Sequence, residues 1–290
     1  MFNKLKVGYL VSYDYSMFLT SVSLLYNDVD KIYVTIDKDR KTWSGNQFEI
    51  PSSFFDEVKQ YDKKNKIEFY FDKFYIPELS PIQCETRERN MLLRKMGKGW
   101  KIQLDVDEYV YDFKSISNYL KEYWYLTLFP KLTPIVFNGK WVTLYRQLPE
   151  GFLYIENEER FSFITNQSDY TYTRNIFKIR NHFTNFNVIH QSWARTEDEI
   201  QLKINNWGHR DDFDTQKYFK FWKSLNCINY KEYKNIHPLS PEVWNELQFL
   251  SSSSIDEFIE KYKLNNKQVL IPIDNKNIIK TAIKKLIGRE

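Results

Sequence analysis

Trp100-Lys101-Ile102-Gln103-Leu104-Asp105-Val106-Asp107-Glu108 decides how the rest of the chain is read. It opens as a compact apolar run suited to a buried strand and closes as a carboxylate cluster. In a strand, residues two apart share a face, so Asp105 and Asp107 are expected to point together while Leu104 and Val106 enter the packing. Two carboxylates so close repel unless a cation or protons lie between them. Oxygen ligands of this kind suit Mg²⁺ or Mn²⁺, which bind one or two carboxylates and take further oxygens from substrate phosphates. The competing reading is a solvated acidic turn, and the tripeptide alone does not separate the two.

Upstream, strand-like and helix-like segments alternate. Residues 5–12, 31–36 and 67–71 read as strands. Residues 15–27, 52–64 and 85–96 read as helices, the last stopped by Gly97 and Gly99. With a fourth strand at 100–110, this order implies an α/β fold: a mostly parallel central sheet flanked by helices on both faces. Ligands of such sheets bind beyond the carboxyl ends of the strands. Asp37 and Asp39 follow the second strand, and Asp105 and Asp107 end the fourth.

Downstream the pattern changes. A helix at 114–124 leads to strand candidates at 134–137, 140–146, 152–155, 174–180 and 186–190. Helices are then expected at 196–206, 214–225, 240–250, 253–263 and 275–287. The division is an α/β domain over 1–225, with halves 1–112 and 113–225, and a helical extension over 226–290. The serines at 251–254 serve either as a linker or as a helix cap.

Composition narrows the function. At 290 residues and 42% apolar content the chain can bury a large core, which excludes wholesale disorder. Its 42 Lys and Arg against 38 Asp and Glu leave +4, too even a balance for a nucleic-acid partner. Cys84 and Cys227 make neither a disulfide framework nor a zinc site. Asp14 interrupts the N-terminal apolar run before a signal-peptide core can form. No stretch reaches the ~18 apolar residues of a membrane span. The chain reads as soluble and cytoplasmic. Its 18% aromatic content serves core filling first and sugar stacking second.

Context gives the carboxylates a meaning. Arg87-Glu88-Arg89-Asn90 lies on a helix, followed by Gly97, Gly99, the strand, and Asp-x-Asp-Glu. Over about residues 5–112 this order resembles the nucleotide-binding half of A-type (GT-A) glycosyltransferases, especially the large inverting family 2 that includes bacterial polysaccharide and lipopolysaccharide synthases. The resemblance implies a Rossmann-like GT-A fold, with the sugar of a nucleoside-diphosphate donor, UDP favoured, passed to a glycan or lipid-linked acceptor in surface polysaccharide synthesis. It also implies that Asp37 or Asp39 meets the base and that Arg89 approaches the base or diphosphate. Asp107 would then ligate Mn²⁺ or Mg²⁺, and Asp105 would contact the ribose or reach the metal through water. For Arg89 the alternative is an i,i+4 partner on a charged helix, and for Asp37 and Asp39 an Asp-rich turn.

The segment Asn187 to Arg195 looks like the His-bearing stretch that closes the catalytic domain in related transferases, where a His completes the metal shell or meets the diphosphate. His190 is the matching residue, and Lys203, Trp207 and His209 follow it. A base for the acceptor hydroxyl is normally Asp or Glu. Asp198 is the first candidate. Glu199 is better explained as the capping-box partner of Thr196, and Glu156, Glu158, Glu159, Asp169, Asp211, Asp212 and Asp214 are further acids. The family's Glu-Asp acceptor motif is not cleanly present, which leaves the base and the inversion open. Trp141, Trp193 and Trp207 serve as an acceptor platform or as core.

From 276 onward the sequence is an amphipathic basic helix, which either docks weakly on an anionic membrane or packs on the main domain with a solvated lysine face. Two other functions compete with sugar transfer. One is a sugar nucleotidyltransferase, but Ser12-Tyr13-Asp14-Tyr15-Ser16 lacks the glycine-rich loop expected after the first strand. The other is a non-catalytic glycan- or nucleotide-binding protein that keeps the fold.

Overall fold

The computed structural model describes residues 4–206 and 212–287, the side chains at 157, 158, 205 and 206 excepted. Trp207, His209, Asp211 and the side chain of Glu158 therefore lie outside the described residues.

Among the described residues nine strands form one sheet. They are β1 (Leu5–Leu10), β2 (Lys31–Asp37), β3 (Ile67–Asp72), β4 (Trp100–Asp105), β5 (Glu108–Tyr109), β6 (Ile135–Leu148), β7 (Gly151–Thr165), β8 (Arg180–His190) and β9 (Gln248–Ser251). The order is β3-β2-β1-β4-β7-β6-β8-β5, with β9 paired to β7. The helices are α1 (Phe18–Ser23), α2 (Ser52–Tyr61), α3 (Pro81–Met96), α4 (Phe113–Glu122), α5 (Glu197–Asn206), α6 (Thr215–Ser224), α7 (Ile255–Asn265) and α8 (Asn275–Leu286).

Alternation along the first strands sorts the helices onto two faces. Leu5, Val7 and Tyr9 of β1 and Ile32, Val34 and Ile36 of β2 share a core with Phe18 and Val22 of α1, Phe54 and Val58 of α2, and Ile116 of α4. Leu10 and Tyr33 point the other way, against Leu92, Leu93 and Met96 of α3. The α3 helix starts earlier than the charge pattern suggests. Ser80 caps it, Pro81 occupies its first turn, and Gln83 closes a capping box. After it, Gly99 adopts φ +110°, and a Cβ there would stand 2.4 Å from the Lys4 carbonyl oxygen. The entry into β4 therefore requires glycine.

The chain is α/β, as expected, but the sheet is mixed rather than mostly parallel. The β1–β2, β1–β4, β2–β3 and β6–β8 pairings are parallel. The β4–β7, β5–β8, β6–β7 and β7–β9 pairings are antiparallel. The candidates at 134–137 and 140–146 are one strand, β6. Asn138 stays within it because its side chain accepts from Ser162 Oγ at 2.8 Å and donates to Asn181 Oδ1 at 3.1 Å.

Residues 174–179 form no strand, and 240–250 form no helix: a 3₁₀ turn at Pro241–Trp244 runs toward β9. The segment 226–290 is accordingly not purely helical. It gives a strand to the main sheet, and Phe258, Ile259 and Tyr262 of α7 pack with Tyr109, Leu144 and Ile189. The serines act as caps, Ser254 accepting from Glu257 N.

Candidate functional site

Where β4 ends, a cleft of about 550 Å³ opens, within the ~300–1,000 Å³ usual for small-ligand sites. Asp105 closes the strand, Val106 and Asp107 form a turn, and Glu108 begins β5 opposite His190 of β8. The two aspartates are thus not neighbours on one strand face, yet both line the cleft. The turn separates them and gives each its own partners.

Asp105 belongs to Arg89. The guanidinium donates through Nη2 to both Asp105 oxygens, at 2.9 and 3.1 Å, and through Nε to Glu85 at 2.8 Å. Arg174 stands 3.5 Å from Asp105 and donates twice to the fully buried Glu108, at 2.8 Å each. Charges therefore alternate through Glu85, Arg89, Asp105, Arg174 and Glu108, as low-dielectric surroundings require. Burial opposes ionisation of Asp105, but Arg89 and then Arg174 outweigh it and hold its pKa below the ordinary value.

Asp107 belongs to a second cluster. Arg195 donates to its Oδ2 at 2.5 Å, and His190 Nε2 lies 3.4 Å from the same oxygen. Arg195 also approaches Asp14, from the loop after β1, at 3.8 Å. Burial again acts against the Asp107 charge, and His190 and Arg195 overcome it, leaving its pKa well below the usual range. Asp14 goes the other way: burial raises it despite Arg195. Lys203 of α5 reaches the cleft wall, donates to Ser192 O at 2.9 Å, and is lowered to about 8 by burial and then by Arg195.

The expected metal set of Asp105, Asp107 and His190 is not assembled as three. Among the described residues no group of three or more His, Cys, Asp or Glu side chains is placed to hold an ion. Both Asp105 oxygens accept from Arg89, each with a lone pair left, and the side chain stays 29% exposed. Asp107 and His190 do converge at the cleft, and a carboxylate with one imidazole suits an ion that takes its remaining ligands from phosphate oxygens.

Other expectations fare differently. Asp37 is buried with its oxygens already engaged: Oδ1 accepts from the backbone N–H groups of Asp39 and Lys41, and Oδ2 from those of Phe74 and Tyr75. It ties two loops together and has no free lone pair for a base. Asp39 is exposed and lies outside the cleft lining. Asp198 is exposed in the first turn of α5, also outside the lining, where it complements the helix dipole; it is not positioned as a catalytic base. Glu199 closes the box with Thr196, as its spacing suggests. Glu156 accepts from Tyr262, Asp169 pairs with Arg94, and Asp214 caps α6. Trp193 is core, whereas Trp141 lines the cleft, stacked on Phe161 at 4.6 Å.

Several cleft residues escape the sequence reading. Arg174 sits in a segment taken for a strand, and Arg195 ends the His190 stretch with no role assigned. Trp43 is half-buried in the wall, its ring N–H donating to Glu88 at 2.6 Å. Glu88 also accepts from Thr35 at 2.5 Å, and burial pushes it up to about 7. The helix period carried a signal for Glu85, Glu88 and Arg89, since residues three and four apart share a face. For Arg89 the i,i+4 pair with Glu85 exists alongside a place in the cleft, and its Nη1 is buried with no hydrogen-bond partner. That buried nitrogen is an unspent donor in the cleft wall.

No family model matches this sequence, and no curated protein matches it. Among solved structures it is similar to mannose-6-phosphate isomerase from Helicobacter pylori, at 17% identity and a TM-score of 0.31, over 57% of this chain and 61% of that one. The chain thus spans less than two thirds of the isomerase. A likeness this loose establishes neither a shared activity nor a shared substrate.

Proposed function

We propose that this chain is a glycosyltransferase of the A-type fold, moving a sugar from a nucleoside-diphosphate sugar to a glycan or lipid-linked acceptor. The observation that carries this reading is the meeting of Arg89, Asp107 and His190 in one cleft at the carboxyl end of β4, with Arg89 Nη1 unpaired. Arg89, Arg174 and Arg195 line the cleft with their forks on carboxylates, and a diphosphate that took over part of those contacts would suit their geometry. The Trp43 ring, fixed by Glu88, would stack on a nucleobase, and Trp141, packed with Phe161 and His190, would give a sugar an aromatic edge.

Asp107 and His190 would hold Mn²⁺ or Mg²⁺, which when bound neutralises charge developing on the departing nucleoside diphosphate. Arg195 orients the Asp107 carboxylate, and Asp105 holds the Arg89 fork in place. Trp141, Tyr13 and Phe161 line the cleft and exclude water, which limits hydrolysis of the donor.

The test is a panel of UDP- and GDP-sugars with Mn²⁺, reading nucleoside-diphosphate release with and without glycan acceptors. Turnover that needs Mn²⁺ and falls in Asp107→Asn is the expected result. Release of pyrophosphate from a nucleoside triphosphate would replace this reading with nucleotidyl transfer. Nucleotide binding without any turnover would replace it with a binding protein.

A further inference from the structure

The amphipathic C-terminal helix was open to two readings, and exposure separates them. Only Ile278 of α8 is buried, while Ile279, Ile283 and Leu286 are 55%, 52% and 67% exposed. These three lie at i, i+4 and i+7, so they form one stripe, and Ile287 continues it at 57% exposure. The apolar stripe is therefore not spent on the main domain.

Charge beside the stripe is of one sign. Lys276, Lys280, Lys284 and Lys285 fall between Asn275 and Ile287, and no Asp or Glu does. On the helical wheel Lys276 falls beside Ile283 and Ile287, and Lys280 borders the stripe on that side. A neighbouring turn adds aromatic surface. Tyr125 donates to Asn275 Oδ1 at 2.5 Å, which ties this turn to the start of α8, and the turn exposes Trp124 and Phe129 at 40% and 66%. Large apolar side chains beside lysines, with aromatic rings nearby, match the depth profile of a lipid interface. A protein groove also takes aliphatic side chains at this spacing, but charge of one sign along the stripe together with exposed rings favours an anionic lipid surface.

We propose that α8, with the 124–129 turn, docks this protein on an anionic lipid surface. The isoleucine stripe enters the acyl boundary and the lysines meet phosphate headgroups. Binding falls with salt, because the lysine contribution is screened, and keeps a residual apolar component.

Sedimentation with vesicles tests this on the full chain. The protein should pellet with phosphatidylglycerol-containing phosphatidylcholine vesicles, and roughly tenfold less with pure phosphatidylcholine. Ile279→Ser combined with Ile283→Ser should weaken the anionic-vesicle affinity by roughly tenfold or more. Circular dichroism and the melting temperature should stay unchanged, because both positions are exposed. Lys276→Gln with Lys280→Gln provides a second variant that leaves the apolar stripe intact and should abolish the preference for anionic vesicles. Failure to pellet on anionic vesicles overturns the proposal, as does full binding by both double variants. Analytical ultracentrifugation showing a dimer that the Ile279→Ser, Ile283→Ser chain loses would assign the stripe to a second copy and overturn it as well.

Discussion

The two sides of the sheet contribute to the cleft in different ways. β3, β2, β1 and β4 are short parallel strands of six or seven residues. β6, β7 and β8 run to 14, 15 and 11 residues, and the β6–β7 ladder slips register three times. The parallel side brings the acids at strand ends and the α3 side chains. The antiparallel side, with the loops around it, brings Arg174, His190, Arg195 and Lys203. One side sets the negative charge and the other largely neutralises it, so the site exists only where the two meet.

The sharpest way to break that meeting is Asp107→Asn. It removes the charge shared by His190 and Arg195, and transfer activity should fall by about 10³-fold, roughly 4 kcal/mol of transition-state stabilisation. Unaltered turnover would detach Asp107 from the chemistry.

Arg174→Met tests whether the antiparallel side also holds the acids in place. It leaves the fully buried Glu108 without its doubly bonded partner, and urea unfolding should show a loss of about 3 kcal/mol. No loss would mean that the bonds from Trp141 and the Asp105 N–H hold Glu108 without it. Gly99→Ala strains the parallel side alone, since the new Cβ meets the Lys4 carbonyl at a φ that alanine disfavours. Its stability should fall by about 1–3 kcal/mol in thermal denaturation.

Glu88 supplies a pH test on the same side. Its carboxyl, pushed by burial from 4.5 to about 7, keeps in the folded chain a proton that the unfolded chain has already released. Its contribution to stability is complete below about pH 4.5 and declines as pH rises toward 7. The stability of wild type minus Glu88→Gln should slope downward across that window and flatten above it. A flat difference would show that the bonds from Thr35 and Trp43 offset burial. Smallest of all, Asp198→Asn should change turnover less than about twofold, since the side chain lies on an exposed first turn where the helix dipole is its main partner.

The parallel side was the more legible one. Buried parallel strands are compact apolar runs, and an acid just past such a run stands out. Asp105 and Asp107 stood out this way, Arg89 and His190 were picked by the resemblance, and all four line the cleft. Long antiparallel strands carry interior polar residues that look like breaks. Asn138 reads as a turn residue until Ser162 and Asn181 bond to it. β9 was hidden because Pro241 and the residues after it suit a helix start, whereas its pairing depends on Gly151, where a Cβ would lie 2.3 Å from the Leu250 carbonyl oxygen. Arg174 and Arg195 could not be assigned from local pattern, because their partners lie 66 and 88 residues away. Asp37 does line the cleft, but its lone pairs are shared with the backbone of a loop 37 and 38 residues downstream, which no local pattern shows.

The length of β8 has a practical consequence. Its first residue, Arg180, lines a small hollow with Ile278 and Lys285 of α8, and its last residue, His190, lines the cleft. Ten residue steps at ~3.3 Å put roughly 33 Å between those ends. A molecule resting on a bilayer through α8, as proposed, would hold its cleft up to that distance from the headgroups. On the proposed sugar-transfer reading, an acceptor whose growing end stands out from a lipid anchor by up to that distance would be within reach.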